Sequence, residues 1–245
     1  INAALKIKGE PPMVLDRASS YIGTLIDDLV TKGCQDPYRM LTSRSEYRLL
    51  LRQDNADLRL TETGHRVGLI SDERYARLLE KKRLIEQETE RIKHVNIAPT
   101  AEINSYLESQ GTERLSTGIK LSQLIKRPEL SYDGLAPFDK ERPELPKEVR
   151  EQAELNVKYE GYIAIQQQQV QAMRKLEKKA LPADTDYTKV RGLRLEAAEK
   201  LNKIRPLSVG QASRISGVNP ADVNVLLIWL SAYGKNENDN GETNG

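Results

Sequence analysis

The sequence predicts a mainly α-helical protein: a helical domain with long amphipathic helices and a small C-terminal three-helix unit, preceded by an irregular segment. Three observations carry this expectation. Apolar residues after Ser71 recur at helical spacing. Alternating runs and hairpin turns are sparse after residue 70. Residues 147 to 180 hold few helix breakers apart from Gly161.

Residues 1 to 60 mix short apolar pieces with turn signals, GEPP at 9 to 12 and KGCQDP at 32 to 37, and read as a docked, partly irregular segment. Within them, YRMLTSRSEYRLLLRQDNADLRL (38 to 60) places five arginines among tyrosines and leucines. Ser43 and Glu46 fit a capping box, which predicts a helix from Arg44. On such a helix Arg44, Arg48 and Arg52 form one stripe while Tyr47, Leu50 and Leu51 face another side. Two readings stand: a solvated face balanced by Glu46 and Asp54, or a phosphate or carboxylate site built from bidentate guanidinium groups.

From Ser71, an N-cap followed by Asp72 and Glu73, a long amphipathic helix carries Tyr75, Leu78, Leu79, Ile85 and Ile92, and its dense mixed charges read as a solvated face. Residues 101 to 110 form a short helix stopped by Gly111, and 120 to 127 another that ends before Pro128. A proline-rich connector, 128 to 146, precedes the longest helical candidate, 147 to 180. The terminal unit offers helices near 194 to 203, 208 to 216 and 220 to 232, with Asn219 as N-cap and Pro220 at the first helical position. The polar tail 234 to 245 is expected to be disordered. The boundaries are thus 1 to 60, 61 to 180, 181 to 233 and 234 to 245.

Composition narrows the function. The chain is 30% charged and 38% hydrophobic, with no apolar run near the roughly 20 residues that a membrane span needs, and nothing resembling a signal peptide. A single cysteine, Cys34, permits no internal disulfide and fits a reducing cytoplasm. A net charge of +2 does not by itself argue for nucleic acid, so any such case rests on local patches. Two histidines and one cysteine leave a structural zinc site without ligands. There is no glycine-rich cradle for a dinucleotide or nucleoside triphosphate. Asp27 with Asp28, Asp54 with Asp57, and Asp184 with Asp186 read as turn or cap residues rather than acid–base pairs, with Asp54 and Asp57 orienting the nearby guanidinium groups.

SRISGVNPADVNVLL has the outline of a helix-turn-helix, but its second helix offers Asn224 as the only base-reading donor, which argues against DNA. That helix, with Val223, Leu226, Leu227 and Leu230, reads as buried, as a partner groove, or as both. Basic residues gather in Arg174, Lys175, Lys178, Lys179, Lys189 and Arg191, and continue through Arg194, Lys200, Lys203 and Arg205. With Tyr159, Tyr162 and Tyr187 to stack on unpaired bases they could track a phosphate backbone; basic residues at helix C-termini also have a plain dipole explanation.

The run YIGTLIDDLVTKGCQDPYRMLTSRSEYRLLLRQDNADLRLTETG, then KYEGYI, then LPADTDYTKVRGLRLEAAEKLNKIRPLSVGQASRISGVNPADV closely resemble the C-terminal part of the GidA or MnmG family of tRNA uridine 5-carboxymethylaminomethyl modification enzymes. The resemblance reaches to about Tyr233. It implies a flavoprotein, homodimeric in full-length form, that works with a GTPase partner of the MnmE family on the wobble uridine of tRNA. It also implies FAD, reduced nicotinamide cofactor and methylenetetrahydrofolate, with the flavin-binding glycine motif and the catalytic cysteines in an N-terminal portion. The opening INAALKIKG, without a methionine, resembles the close of that flavin domain, so a fragment is expected, its first residues an irregular remnant of the flavin domain. Cys34 stands where threonine or another small residue is expected and is not a catalytic cysteine. Arg39, Arg44, Arg48 and Arg52 occupy positions where the family keeps basic residues implicated in tRNA handling, and the terminal unit resembles its partner-contacting end.

The resulting expectation is a tRNA- and partner-binding C-terminal region of an FAD-dependent enzyme, with no catalytic residue, cofactor site or metal of its own and no turnover alone. The rival is a structural or protein-interaction domain without RNA affinity, its arginines holding it to the flavin domain.

Overall fold

The computed structural model describes residues 1 to 33 and 36 to 241. Cys34 lies outside the described residues. The protein is mainly α. In chain order its helices are α1 (Asn2–Ile7), α2 (Tyr21–Thr31), α3 (Ala56–Arg66), α4 (Asp72–His94), α5 (Ala101–Ser109), α6 (Leu121–Ile125), α7 (Lys147–Lys158), α8 (Glu160–Glu177), α9 (Leu195–Ile204), α10 (Val209–Ala212) and α11 (Pro220–Gly241). Among the described residues the only sheet is an antiparallel pair, β1 (Asn96–Ile97) with β2 (Ile119–Lys120), in which Asn96 faces Lys120 and Ile97 faces Ile119.

Two compact units divide the chain. The first comprises 1 to 14 and 47 to 166, the second 15 to 46 and 167 to 245. Composition and turn signals place the boundaries near 60, 180 and 233; the units instead part at 14, at 46 and inside α8.

In the first unit α4 packs on α3, α6 and α7. The Ser71 hydroxyl accepts from the amide of Arg74, as an N-cap should. Leu78, Ile85 and Ile92 are buried from α4, whereas Leu79 is 48% exposed. Ile103 and Leu107 of α5, Leu121, Leu124 and Ile125 of α6, and Ala153 and Val157 of α7 complete the core. The connector contributes to it as well: Leu130, Tyr132 and Leu135 are buried, so its prolines shape a packed wall rather than a loose linker. Fully burying a leucine contributes on the order of 2 kcal/mol, which is how a segment without regular structure is held.

Two expectations fail locally. No helix begins at Arg44: Thr42–Arg44 is one 3-10 turn and Ser45 is extended (φ −92°, ψ 133°). The Glu46 carboxylate, instead of reaching back to the Ser43 amide, takes a guanidinium hydrogen bond from buried Arg17 at 2.6 Å. A charge-assisted bond at a buried partner outweighs a solvent-exposed cap. The candidate helix 147 to 180 is two helices, α7 and α8, parted at Tyr159, whose backbone leaves the helical region (φ −105°, ψ 12°). Glu160 then opens α8 and accepts from Lys93 (3.0 Å) and Lys126 (2.9 Å).

In the second unit Leu181, Tyr187, Val190, Ala198, Leu201, Val209, Ala212, Ile215 and Leu226 form the core. The cap at Asn219 is reciprocal: its side chain accepts from the Asp222 amide (2.9 Å), and the Asp222 carboxylate accepts from the Asn219 amide (2.8 Å). The second helix of this terminal unit is a single turn, α10, shorter than the expected 208 to 216. The last helix, α11, continues to Gly241 and so takes in residues 234 to 241 of the tail expected to be disordered; residues 242 to 245 lie outside the described residues. Segment 15 to 46 belongs to this unit through α2. A Cβ on Gly23 of α2 would sit 2.1 Å from the Asp16 carbonyl oxygen, so only glycine permits that close approach.

Candidate nucleic-acid interface

The four candidate arginines of the opening segment, Arg39, Arg44, Arg48 and Arg52, fall in different environments and form no helical stripe. In the second unit Arg39 is exposed, and Arg44 is exposed with its guanidinium carbon 4.3 Å from the centre of the Tyr38 ring. That stacking holds a cation outward at low entropic cost. In the first unit Arg48 is exposed. Arg52 is different. It is 15% exposed, reaches Asp54 at 3.1 Å, the Leu49 carbonyl at 2.5 Å and Gln152 at 3.1 Å. Gln152 in turn donates to Asp54, whose carboxyl is lowered from its ordinary value: burial opposes this, and hydrogen bonds from Gln152 and Arg52 outweigh it. Arg52 is therefore a packing residue that ties the loop to α7. Asp54 orients a guanidinium as expected; Asp57 instead takes Lys81 at 2.7 Å.

The second basic group lies at the end of α8 and beyond. Lys175, Lys178, Lys179 and Arg191 are exposed and have no carboxylate within ion-pair distance among the described residues. Arg174 makes a 3.2 Å contact to Asp16, and Lys189 a 3.5 Å contact to Asp186, both at solvent-exposed sites where such pairs are worth little. Other basic residues of the stretch are spent on folding. Arg194 holds Asp222 (2.6 Å) and the Gly217 carbonyl (2.7 Å), and Arg205 donates to the Thr185 carbonyl (2.6 Å). Of the tyrosines, Tyr187 is 1% exposed in the core and cannot stack on a base, while Tyr162 is 65% exposed.

Along α11, Leu226 is fully buried and serves the core, which removes it from the expected partner-contacting set. Val223, Leu227 and Leu230 are partly buried beside it, and Ile228 is 71% exposed. Val223 and Leu227, with Leu176, Ser213, Pro220 and Asn224, line an open apolar cavity of about 350 Å³.

Sequence reasoning missed two buried ionic networks. In the second unit Arg17 (4% exposed) donates to Asp27 (3.0 Å), Asp28 (2.8 Å) and Glu46. Asp28 also takes Lys32 (2.8 Å) and the Tyr38 hydroxyl (2.7 Å), and Asp27 takes Arg214 (2.7 Å), which reaches Glu177 as well. Burial opposes ionisation of Asp28, but Lys32, Tyr38 and Arg17 together hold its pKa down to about 2. In the first unit Arg91 bridges Glu88 (2.8 Å) and Asp139 (2.5 Å), and Tyr132 donates to Glu88 (2.8 Å). Burial, then the bond to ionised Glu88, pushes Tyr132 up to about 12. The Asp27-Asp28 pair and the mid-helix Gly23 were the signals within the sequence; neither names a partner.

The family profile for the MnmG/GidA tRNA modifying enzyme C-terminal helical domain matches residues 72 to 167, and that for its C-terminal helical bundle matches 169 to 244. The chain belongs to the MnmG/GidA family. It is 59% identical over 230 residues to the tRNA uridine 5-carboxymethylaminomethyl modification enzyme MnmG of Caldicellulosiruptor saccharolyticus, covering 94% of this chain and 37% of that protein. The MnmG of Clostridium novyi is 55% identical over 237 residues, 97% of this chain and 38% of the relative. Among solved structures, Aquifex aeolicus GidA in its form II crystal has a TM-score of 0.73 at 40% identity, over 94% of this chain and 36% of that one. The chain thus spans somewhat over a third of these MnmG relatives and corresponds to their C-terminal helical region. Among the described residues there is no metal-ligating cluster, and no helix is long and apolar enough to cross a membrane.

Proposed function

We propose that this chain is the tRNA- and partner-binding region of an FAD-dependent enzyme that builds the carboxymethylaminomethyl group at C5 of the wobble uridine of tRNA. One observation carries the reading: in the second unit Arg39, Arg44, Lys175, Lys178, Lys179 and Arg191 are exposed cations without a carboxylate partner among the described residues. An ammonium or guanidinium left unpaired on a folded surface is free to meet a phosphate, and each phosphate neutralised releases counterions. Arg48 offers the same group in the first unit. The names of the MnmG relatives supply the substrate class, tRNA.

On this reading the protein is cytoplasmic, homodimeric at full length, and paired with a GTPase of the MnmE family that docks on Val223, Leu227 and Leu230 of α11. It binds neither DNA nor membrane. FAD, reduced nicotinamide cofactor and methylenetetrahydrofolate belong to the portion of the relatives that this chain does not span. Two of its cavities are lined by helix faces and a strand edge, without the glycine-rich turn that a dinucleotide needs, so no flavin step is assigned to these residues. The chain alone retains no flavin and turns nothing over; stoichiometric flavin absorbance would overturn that statement.

The deciding experiment is binding of the chain to unmodified substrate tRNA across a salt series. Affinity is expected to fall steeply with salt. The variants Arg39→Gln/Arg44→Gln and Lys175→Gln/Lys178→Gln/Lys179→Gln should each flatten the slope by about one unit for every phosphate no longer neutralised. Absence of binding at low salt would favour the rival reading, a structural and protein-interaction domain, for which Arg52, already spent on Asp54 and Gln152, is the specific support.

A further inference from the structure

Resting on the tRNA reading, we infer that the α3–α4 hairpin of the first unit carries a phosphodiester-binding subsite of its own, formed by Arg74 and Arg77. These residues lie outside both basic stretches of the candidate interface. Arg74, Arg77, Leu78 and Lys81 of α4, with Asp57 and Thr61 of α3 and Glu148 of α7, line an open cavity of about 240 Å³. A spacing of three and four residues puts the three cations on one face of α4, above buried Leu78.

Their charges are not equally committed. Lys81 is 16% exposed and locked to Asp57 at 2.7 Å, so this pair is internally neutral. Arg74 is exposed and has no ion-pair partner among the described residues. Arg77 is 72% exposed, and among the described residues it pairs with Glu73, at 3.3 Å and 83% exposed. Such an i,i+4 surface pair is screened and readily exchanged for a stronger oxyanion. Glu148 is the remaining acid in the wall, so two exposed guanidinium groups share the cavity with one uncommitted carboxylate, and Thr61 also lines it.

The ligand chemistry follows from that arrangement. A planar guanidinium pair at the lip of a shallow cavity suits the two non-bridging oxygens of a backbone phosphate. The carboxylate in the wall disfavours a ligand of dense negative charge, such as a free triphosphate. His65 of α3 stacks on Tyr75 of α4 with ring centroids 4.2 Å apart, which ties the two helices of the hairpin together.

The test uses the full 245-residue chain, unmodified substrate tRNA and a salt series. The double variant Arg74→Gln/Arg77→Gln is compared with Arg74→Lys/Arg77→Lys and with Arg83→Gln. Arg83 lies about half a turn around α4 from Arg74, at roughly 100° per residue, and is held by Glu80, so it controls for loss of a cation on another face of the same helix. The subsite predicts that the Gln pair flattens the slope of log affinity against log salt by about one unit. The Lys pair restores the slope, and Arg83→Gln leaves it unchanged. All the substituted side chains are exposed, and equal melting temperatures would verify folding. If the parent chain binds tRNA and the Gln pair binds identically, or Arg83→Gln weakens binding as much as the Gln pair does, the subsite is wrong and the tRNA reading stands. If the parent chain fails to bind at low salt, both fall together.

Discussion

The two buried ionic networks solve the same problem in different ways. In the second unit Asp28 is shared by Arg17, Lys32 and Tyr38, and Asp27 by Arg17 and Arg214. In the first unit Glu88 and Asp139, 2% and 6% exposed, both depend on Arg91, with the Tyr132 hydroxyl as a further donor to Glu88 alone. Arg17 is the more deeply buried cation, 4% against 23% for Arg91. Burial and partner redundancy therefore rank the two arginines oppositely. An orphaned buried carboxylate costs more than a broken bond between groups that keep other partners, so redundancy should decide.

The largest effect is expected from Arg91→Leu, which takes the cation from two buried carboxylates and leaves Glu88 only the Tyr132 hydroxyl, and it should cost about 3–5 kcal/mol in denaturant unfolding. Next comes the alkaline limb. Tyr132 is raised from 10.0 to about 12 in the folded state, so its contribution is whole below pH 10 and is lost as pH rises through 12. The amount is about 3 kcal/mol, and Tyr132→Phe should remove this limb from the stability profile. Arg17→Leu should cost about 2 kcal/mol, because Asp28 and Asp27 keep their other donors. A larger effect there than in Arg91→Leu would show that burial, not redundancy, governs.

The acid limb is of similar size. Asp28 falls from 3.8 to about 2 on folding, so its stabilisation is present above pH 4 and lost as pH drops through 2. That is about 2 kcal/mol, read from unfolding midpoints between pH 5 and 2, and Asp28→Asn should abolish it.

Much of the helical plan was legible in the sequence because it rests on local physics. The Ser71 and Asn219 caps, the Gly111 stop and the spacing of Leu78, Ile85 and Ile92 are decided within one or two turns of chain. The capping box at Ser43 failed for the complementary reason. Glu46 had a local partner in view, and Arg17, 29 residues away, outcompeted it. The candidate interface was legible as composition only. Lys175, Lys178 and Lys179 are as exposed as their helix end suggests, but nothing in the sequence separates Arg44, held outward on Tyr38, from Arg52, consumed by Asp54 and Gln152.

By itself the sequence determined the mainly α class, most of the helix ends and, through motif resemblance, the family. Those are properties of short stretches, where propensity, capping and periodicity act between near neighbours. Only the tertiary structure decided which charges are spent. Pairing Arg17 with Asp28, or Arg91 with Asp139, takes two groups out of water together. That exchange is favourable only where the surrounding fold brings both to one point at hydrogen-bond distance.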